Sequence, residues 1–311
     1  MDSRKKEQKE VIHPHGQVTI WQGDNLPILQ QMGDESSDLI YIDPPFSVEQ
    51  TLQMQPVAER STFFKGDTDK YINFLIPRLT EAYRLLKPKG SFFVHLDYRE
   101  VHYVKIALDR IFERKCFRNQ IIWAYDFGSR SRTKWPAKHQ VILWYSRHPT
   151  EYCFNFHEMD RIPYMSPKLA GKEKVAMGKT PTDVWWHTVV PTRGSEKTGY
   201  PGQKPLGIID RIVKVHSNPG DQLLDFFAGS GTLGESAAYN GRNVILVDNN
   251  PQAIEIMRQR LQRFNPVMKT EDTLEVTDAD LTDLFEDHPK IESDEEDPDL
   301  DLDEDLDIDF D

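Results

Sequence analysis

Apolar positions along this chain follow two periods. Val18-Thr19-Ile20-Trp21 and Asp38-Leu39-Ile40-Tyr41-Ile42 are short runs rich in β-branched and aromatic residues, each closed by a polar turn, Gly23-Asp24 and Asp43-Pro44-Pro45. Such runs read as strands, with a short helix near Leu26–Met32 between them. Residues 47–66 show no clear period and are expected to form a mobile loop. Tyr71, Phe74, Leu75, Leu79, Ala82 and Leu86 then recur at helical spacing, ended by Lys87-Pro88-Lys89-Gly90. Ser91–Leu96 is a buried-strand candidate. Val101, Val104, Leu108, Ile111 and Phe112 mark a second amphipathic helix, and Gln120–Ala124 a further strand. Regular alternation resumes at Leu206. A strand at Gln222–Asp225 opens through glycines into a helix, and a strand at Asn243–Val247 is followed by a last helix. Asn250-Pro251 caps that helix, whose apolar face is Ile254, Met257, Leu261 and Phe264. Alternating strands and helices predict an α/β fold with a doubly wound sheet.

Charge divides the chain further. Residues 267–311 hold 21 Asp/Glu against two Lys, which takes the formal net charge of −13 to +6 for the remainder. The body is therefore mildly basic, and a nucleic-acid partner is not excluded by the overall acidity. Residues 126–200 carry 12 Lys/Arg against seven Asp/Glu together with many aromatics, and no acid lies between Gly128 and His148. The resulting division is a polar arm at 1–16 that includes Arg4-Lys5-Lys6, a catalytic domain at 17–125 and 201–266, a basic inserted region at 126–200, and an acidic disordered tail at 267–311. Cys116 and Cys153 match no metal spacing and no disulfide framework, and the ten histidines show no ligand pattern, so no metal is expected. No run of 18 apolar residues appears, so the expected setting is soluble, cytoplasmic and nucleoid-associated, with no membrane.

Two turns carry candidate chemistry. Asp43-Pro44-Pro45-Phe46 ends a strand with a carboxylate, stacked prolines and an aromatic face, a set suited to holding a flat base by its exocyclic amine. Phe227-Ala228-Gly229-Ser230-Gly231-Thr232 follows a strand ending at Asp225 and opens a helix, the arrangement that lets backbone approach a nucleoside cofactor. Gly229 and Gly231 would permit that approach, with Ser230 and Thr232 facing a carboxylate at the helix N-terminus. Asp248, 17 residues beyond Gly231 and followed by Asn249, is placed like the ribose-binding acid of nucleotide folds.

With these motifs in this order, the chain resembles the beta group of DNA amino-methyltransferases, which make N6-methyladenine or N4-methylcytosine. The resemblance spans roughly residues 17–265 and includes Gly23-Asp24-Asn25-Leu26, Gly199-Tyr200-Pro201-Gly202-Gln203-Lys204-Pro205 and Asn218-Pro219-Gly220-Asp221. It departs at Phe226, where the family usually has Pro, at Leu233, where a second Thr is common, and at Gly202, where Thr is usual. The resemblance implies a Rossmann-like, circularly permuted methyltransferase sheet with Val18–Trp21 beside the strand ending at Asp248. It implies S-adenosylmethionine as cofactor, with Asp24 (next to Asn25) at the adenine and Lys204 near the methionine end. Asp43 and the Pro44 carbonyl would hold the target amine for in-line methyl transfer. Phe46 would stack the flipped base. Neither cysteine follows a proline, as the nucleophile of cytosine-C5 enzymes does.

Double-stranded DNA is the expected substrate. Arg130, Arg132, Lys134, Lys138 and His139 are candidate phosphate contacts, and Trp185-Trp186 would support the base pocket or brace the recognition region. His95 and Asp97 read equally as structural or functional. Adenine N6 is the leading target because Asp-Pro-Pro is commoner in the adenine enzymes. Cytosine N4, and a DNA-binding protein of this fold without catalysis, are the alternatives. The resemblance admits a companion restriction endonuclease and a homodimer. The tail ends in acids alternating with Leu300, Leu302, Leu306, Ile308 and Phe310, a pattern compatible with solubilisation, with binding a basic partner, or with covering the chain's own basic channel.

Overall fold

The two strand runs and the helical periods assemble into one mixed sheet of nine strands covered on both faces. The computed structural model describes residues 15–45, 68–128 and 130–271. In chain order the elements are β1 (Val18–Gln22), α1 (Asn25–Gln30), β2 (Ser37–Ile42), α2 (Thr68–Leu85), β3 (Leu86–Leu96), α3 (Val101–Ile111), β4 (Phe117–Ala124), β5 (His139–Ser146), α4 (Lys172–Met177), β6 (Val184–Trp186), α5 (Leu206–His216), β7 (Gln222–Asp225), α6 (Thr232–Tyr239), β8 (Asn243–Asp248), α7 (Pro251–Arg260) and β9 (Val267–Thr270). Across the sheet the order is β6-β4-β5-β3-β2-β7-β8-β1-β9. Every neighbouring pair is parallel except those made by β5, which runs against both β3 and β4.

The expected permutation is present. β1 pairs in parallel with β8, Ile20 opposite Leu246 and Gln22 opposite Asp248. The period-two alternation of β2 sorts its side chains between two cores. Leu39 and Tyr41 join α5, α6 and α7 on one face, and Ile40 and Ile42 join α2 and α3 on the other. Each buried aliphatic side chain there contributes about 1.5–3 kcal/mol of transfer free energy, so both faces are fixed strongly and the register with them.

Three boundaries differ from the sequence reading. Residues 126–200 are not wholly an insertion: His139–Ser146 is an interior strand and Val184–Trp186 an edge strand. The apolar run Val141-Ile142-Leu143-Trp144-Tyr145 carries that signal, and averaging composition over a basic stretch conceals it. β3 begins at Leu86, so the predicted helix stop is already strand, with a shift in register against β2 between Ser37 and Leu39. Residues 267–270 belong to the sheet rather than the tail, as β9 parallel to β1, with Lys269 Nζ 4.8 Å from the Trp21 ring. All four β9 residues are exposed, so no apolar alternation announces the strand. All described residues fall in one compact unit, Met1–Leu274. No helix among them is long and apolar enough to cross a membrane. The arm at 1–14, the loop at 46–67 and the tail beyond Glu271 lie outside the described residues.

Because β2, β7, β8 and β1 are mutually parallel, their C-terminal ends share one edge of the sheet, the edge where ligands bind in open α/β folds. β3, β4 and β6 end there too, so the β4–β5 connection at 125–138 and the segment after Trp186 project from the same edge.

Candidate active site

Asp43 follows directly on the last residue of β2. Its Oδ2 pairs with Lys204 Nζ, and its Oδ1 is buried with no hydrogen-bond partner among the described residues. Burial pushes its pKa up, and the Lys204 ammonium opposes that shift. Pro44 is buried and Pro45 exposed, so the two prolines fix the turn from opposite sides. Phe46 lies outside the described residues. Lys204 comes from the turn before α5, and its side chain is 8% exposed. Its main-chain carbonyl accepts from Thr232 Oγ1 at 3.2 Å, and its ammonium reaches the Asp43 carboxylate.

Beside Asp43 stand Asp225 at the end of β7 and Asp248 at the end of β8. Asp225 is buried and its pKa lies well above the usual carboxylate range, mainly from desolvation, with the Asp43 and Asp248 charges adding to the rise. Its Oδ1 accepts from Phe227 N at 3.0 Å. Asp248 is likewise raised by burial, against the pull of backbone N–H groups. Its Oδ2 accepts from Gly229 N at 2.8 Å and its Oδ1 from Asn250 N at 2.9 Å, so it braces the glycine turn as well as facing the edge. Asn249 is exposed next to it.

The glycines are needed for two reasons. Gly229 and Gly231 adopt φ of 49° and 72°, the left-handed region that side chains disfavour. A Cβ on Gly229 would also stand 2.9 Å from Cε1 of Tyr200, and one on Gly231 2.8 Å from Cγ of Met257. Ala228 N donates to Val247 O at 3.1 Å, which ties the turn to β8. Ser230 and Thr232 do not offer free hydroxyls to a ligand. Both are buried, lie 3.2 Å from each other, and accept from Arg260 Nη1 at 3.2 and 2.9 Å, so packing against α7 has turned them inward.

Asp24 caps α1 by accepting from Leu26 N at 3.0 Å, and it pairs with Arg78 Nη2 at 2.9 Å. Asn25 uses its amide to join elements. Nδ2 donates to Phe226 O at 2.6 Å, and Oδ1 accepts from Arg78 Nε at 2.6 Å. Arg78 of α2, which no motif announces, thus holds the first turn of α1 against the glycine turn, its guanidinium 3.8 Å from the Phe74 ring centre. Phe227 packs 6.1 Å from the same ring. A second unannounced pair is Tyr41 with His95, which share a 2.9 Å hydrogen bond inside the sheet. Burial keeps His95 well below its ordinary pKa and hence neutral. Asp97 is occupied by Arg99 at 2.7 Å.

The basic loop at 125–138 presents Arg130, Arg132 and Lys134 to solvent, with Trp135 96% exposed and Phe127 59% exposed beside them. Both aromatics were missed by a reading that weighed charge alone. Lys138 instead donates to the Asp126 carbonyl, and His139 opens β5 with its ring 5.7 Å from Tyr98. Trp186 is exposed on the edge strand. Trp185 is half-buried against the α5 face, its Nε1 donating to Thr182 O at 3.1 Å, so it braces the sheet and does not meet the basic loop.

Comparison with known proteins agrees with this geometry. A family model described as DNA methylase, N6_N4_Mtase, matches residues 37–259. The chain is 28% identical over 256 residues to the type II methyltransferase M.HpaI of Haemophilus parainfluenzae, covering 82% of this chain and 78% of that one. It is also 28% identical over 254 residues to the DNA adenine methyltransferase YhdJ of Escherichia coli strain K12, covering 78% and 82%. In structure it is similar to the cytosine-N4-specific PvuII DNA methyltransferase, with a TM-score of 0.57 and 16% identity across 84% of this chain and 97% of that one. TTHA0409 of Thermus thermophilus, solved with S-adenosyl-L-methionine, gives a TM-score of 0.55 and 20% identity over 83% and 100%.

Proposed function

The chain belongs to the N6_N4_Mtase family of DNA methylases, and on that premise we propose that it transfers a methyl group from S-adenosylmethionine to the N6 amine of adenine in duplex DNA. One observation carries the reading: Asp43 keeps Oδ2 on Lys204 while Oδ1, buried at the edge of the sheet, has no partner among the described residues. A buried acceptor left open costs about 1–3 kcal/mol, and a donor arriving from a ligand recovers that loss. The exocyclic amine of a base is such a donor.

When bound, S-adenosylmethionine supplies an electrophilic methyl group on a cationic sulfur. The residues present fit that group. Asp43, Asp225 and Asp248 gather three buried carboxyls around one edge, with Lys204 the cation that faces Asp43. Asp248, behind the turn of Gly229 and Gly231, would take the ribose hydroxyls, and Asp24 with the Phe227 side would flank the adenine. Lys204 would hold Asp43 ionised against desolvation, since an opposite charge within reach favours the charged form. Asp43 Oδ1 and the Pro44 carbonyl would accept the two amine hydrogens, so the nitrogen lone pair leaves conjugation with the ring and points at the methyl group. Holding both partners in this geometry is the main source of rate. The base reaches the edge only by leaving its stack, and the exposed Arg130, Arg132, Lys134 and Trp135 project from the same edge to hold the duplex. Asp-Pro-Pro favours adenine over cytosine. The acidic tail would compete for this basic surface.

Incubating the purified protein with duplex DNA and labelled S-adenosylmethionine, then separating the nucleosides, tests the reading. Label in the N6-methylated adenine nucleoside is expected. Label in the N4-methylated cytosine nucleoside would move the target, and no label with correctly folded protein would overturn the catalytic reading.

A further inference from the structure

A cavity of about 270 Å³ opens on the α5 face of the sheet, bordered by Trp144, Phe154, Trp185, His216 and the rim residues Asp183 and Arg211. It lies between β4, β6 and the C-terminal half of α5. Those strands stand three and four places from β2 across the sheet, and none of Asp43, Lys204, Asp225 or Asp248 lines the cavity. The cavity is therefore separate from the Asp43 site.

Its walls are flat. Trp144 and Phe154 lie nearly parallel, at 17° and 5.8 Å. His216 completes that wall, 4.3 Å from Trp144 and 5.3 Å from Phe154. It is 5% exposed, and its Nδ1 has no hydrogen-bond partner among the described residues. Burial pushes its pKa down to about 3, so the ring is neutral. At the rim, Arg211 pairs with Asp160 at 2.8 Å and lies 5.4 Å from the Trp185 ring, which leaves the Asp183 carboxylate to set the local sign.

We infer that this cavity is a second ligand site, for a small uncharged nitrogen heteroaromatic bearing an exocyclic amine: a free purine base or its nucleoside. The volume is just under the lower end of the range for small-molecule pockets, which begins at about 300 Å³. Aromatic walls stack any flat ring without regard to its edge. Asp183 accepts an amine and repels phosphate, so a nucleotide is disfavoured.

The test uses the full chain saturated with S-adenosylhomocysteine, so that the cofactor edge is filled. Adenosine is then titrated and followed by tryptophan fluorescence and calorimetry. One saturable event is expected, weakened about tenfold or more by Trp185→Ala, the loss typical of one stacking partner. Asp183→Ala should weaken it as well. That carboxylate is exposed, and the residue's structural contribution, a carbonyl accepting from Ile122 N at 2.8 Å, survives the substitution. Asp43→Ala should leave the event unchanged, and adenosine monophosphate should bind more weakly than adenosine. Absence of saturable binding would overturn the inference. So would affinity unchanged from the parent in both cavity variants, loss of the event in Asp43→Ala, or displacement of adenosine by tetramethylammonium at lower concentration.

Discussion

At the scale of single residues, the proposed chemistry rests on Asp43, whose Oδ2 pairs with Lys204. Asp43→Ala should lower methyl transfer by about 10²–10³-fold, as when a preorganised polar contact to the reacting group is removed. Cofactor affinity should stay close to that of the parent, since in the proposed mechanism the carboxylate acts on the base. Labelled-methyl assays and calorimetry check the two halves, and full activity would remove Asp43 from the reaction. Asp248→Ala should weaken cofactor binding by roughly 1–3 kcal/mol and lower the melting temperature, because the Gly229 and Asn250 N–H groups lose their acceptor at the same time. The raised pKa values of Asp43, Asp225 and Asp248 also have a sign. Each contributes stability that is complete below the usual carboxylate range and is lost as pH rises through its raised folded value. A cation among them lowers those values. Affinity for the sulfonium should therefore increase with pH across that window and release protons, while the neutral S-adenosylhomocysteine shows less of both. Calorimetry in buffers of different ionisation enthalpy reads this directly, and proton uptake would contradict it. At this scale the sequence was informative where chemistry is concentrated in one turn, as at Asp43-Pro44-Pro45 and Gly229–Gly231. Tyr41–His95 and Arg260–Thr232 were illegible because packing brings them together across long separations.

Among the elements, α2 does more than cover the sheet. Through Arg78 it joins Asp24, Asn25 and, by way of Asn25, the Phe226 carbonyl. Arg78→Ala should destabilise the protein by about 2 kcal/mol, the range of hydrogen bonds to a charged group. It should also raise the KM for the cofactor more than it lowers kcat. Arg78→Lys should recover only part of either, because a compact ammonium cannot span the separated acceptors that the planar guanidinium reaches. Thermal melts and steady-state kinetics separate this from a purely structural role, in which KM would not move. The amphipathic spacing of α2 predicted the helix and its buried face, but an arginine at a helical position carries no sign of what it will meet. β5 shows the reverse failure. Its five apolar residues were legible in themselves, yet the surrounding charge had them assigned to an insertion. Antiparallel entry of that strand is what turns 125–138 into a hairpin loop at the methyl-transfer edge.

For the molecule as a whole, the pairing of β1 with β8 followed from the family resemblance, whereas the rest of the sheet order and the outer strand β9 did not, since an exposed edge strand has no apolar period to read. The position of that strand alters how the acidic segment should be removed. Cutting after Glu271 should leave the melting temperature nearly unchanged, whereas cutting after Pro266 strips β9 from β1 and should lower it. Either cut takes the formal charge from −13 to +6. If the segment competes for the basic loop, the protein ending at Glu271 should bind DNA more tightly, most of all at low salt. Parallel binding curves across a salt series would exclude competition. Because β9 runs parallel to β1, with Glu271 Oε2 accepting from Asp24 N at 3.0 Å, the polyanion leaves the fold at the rim where Asp24 and Asp248 stand. If it competes, it would be a tethered rival to DNA, at an effective concentration on the order of millimolar for a short linker. Diluting the enzyme would not relieve such self-competition. A long duplex that engages several phosphate contacts at once would outcompete it where a short one could not, so the segment would act as a threshold on substrate length.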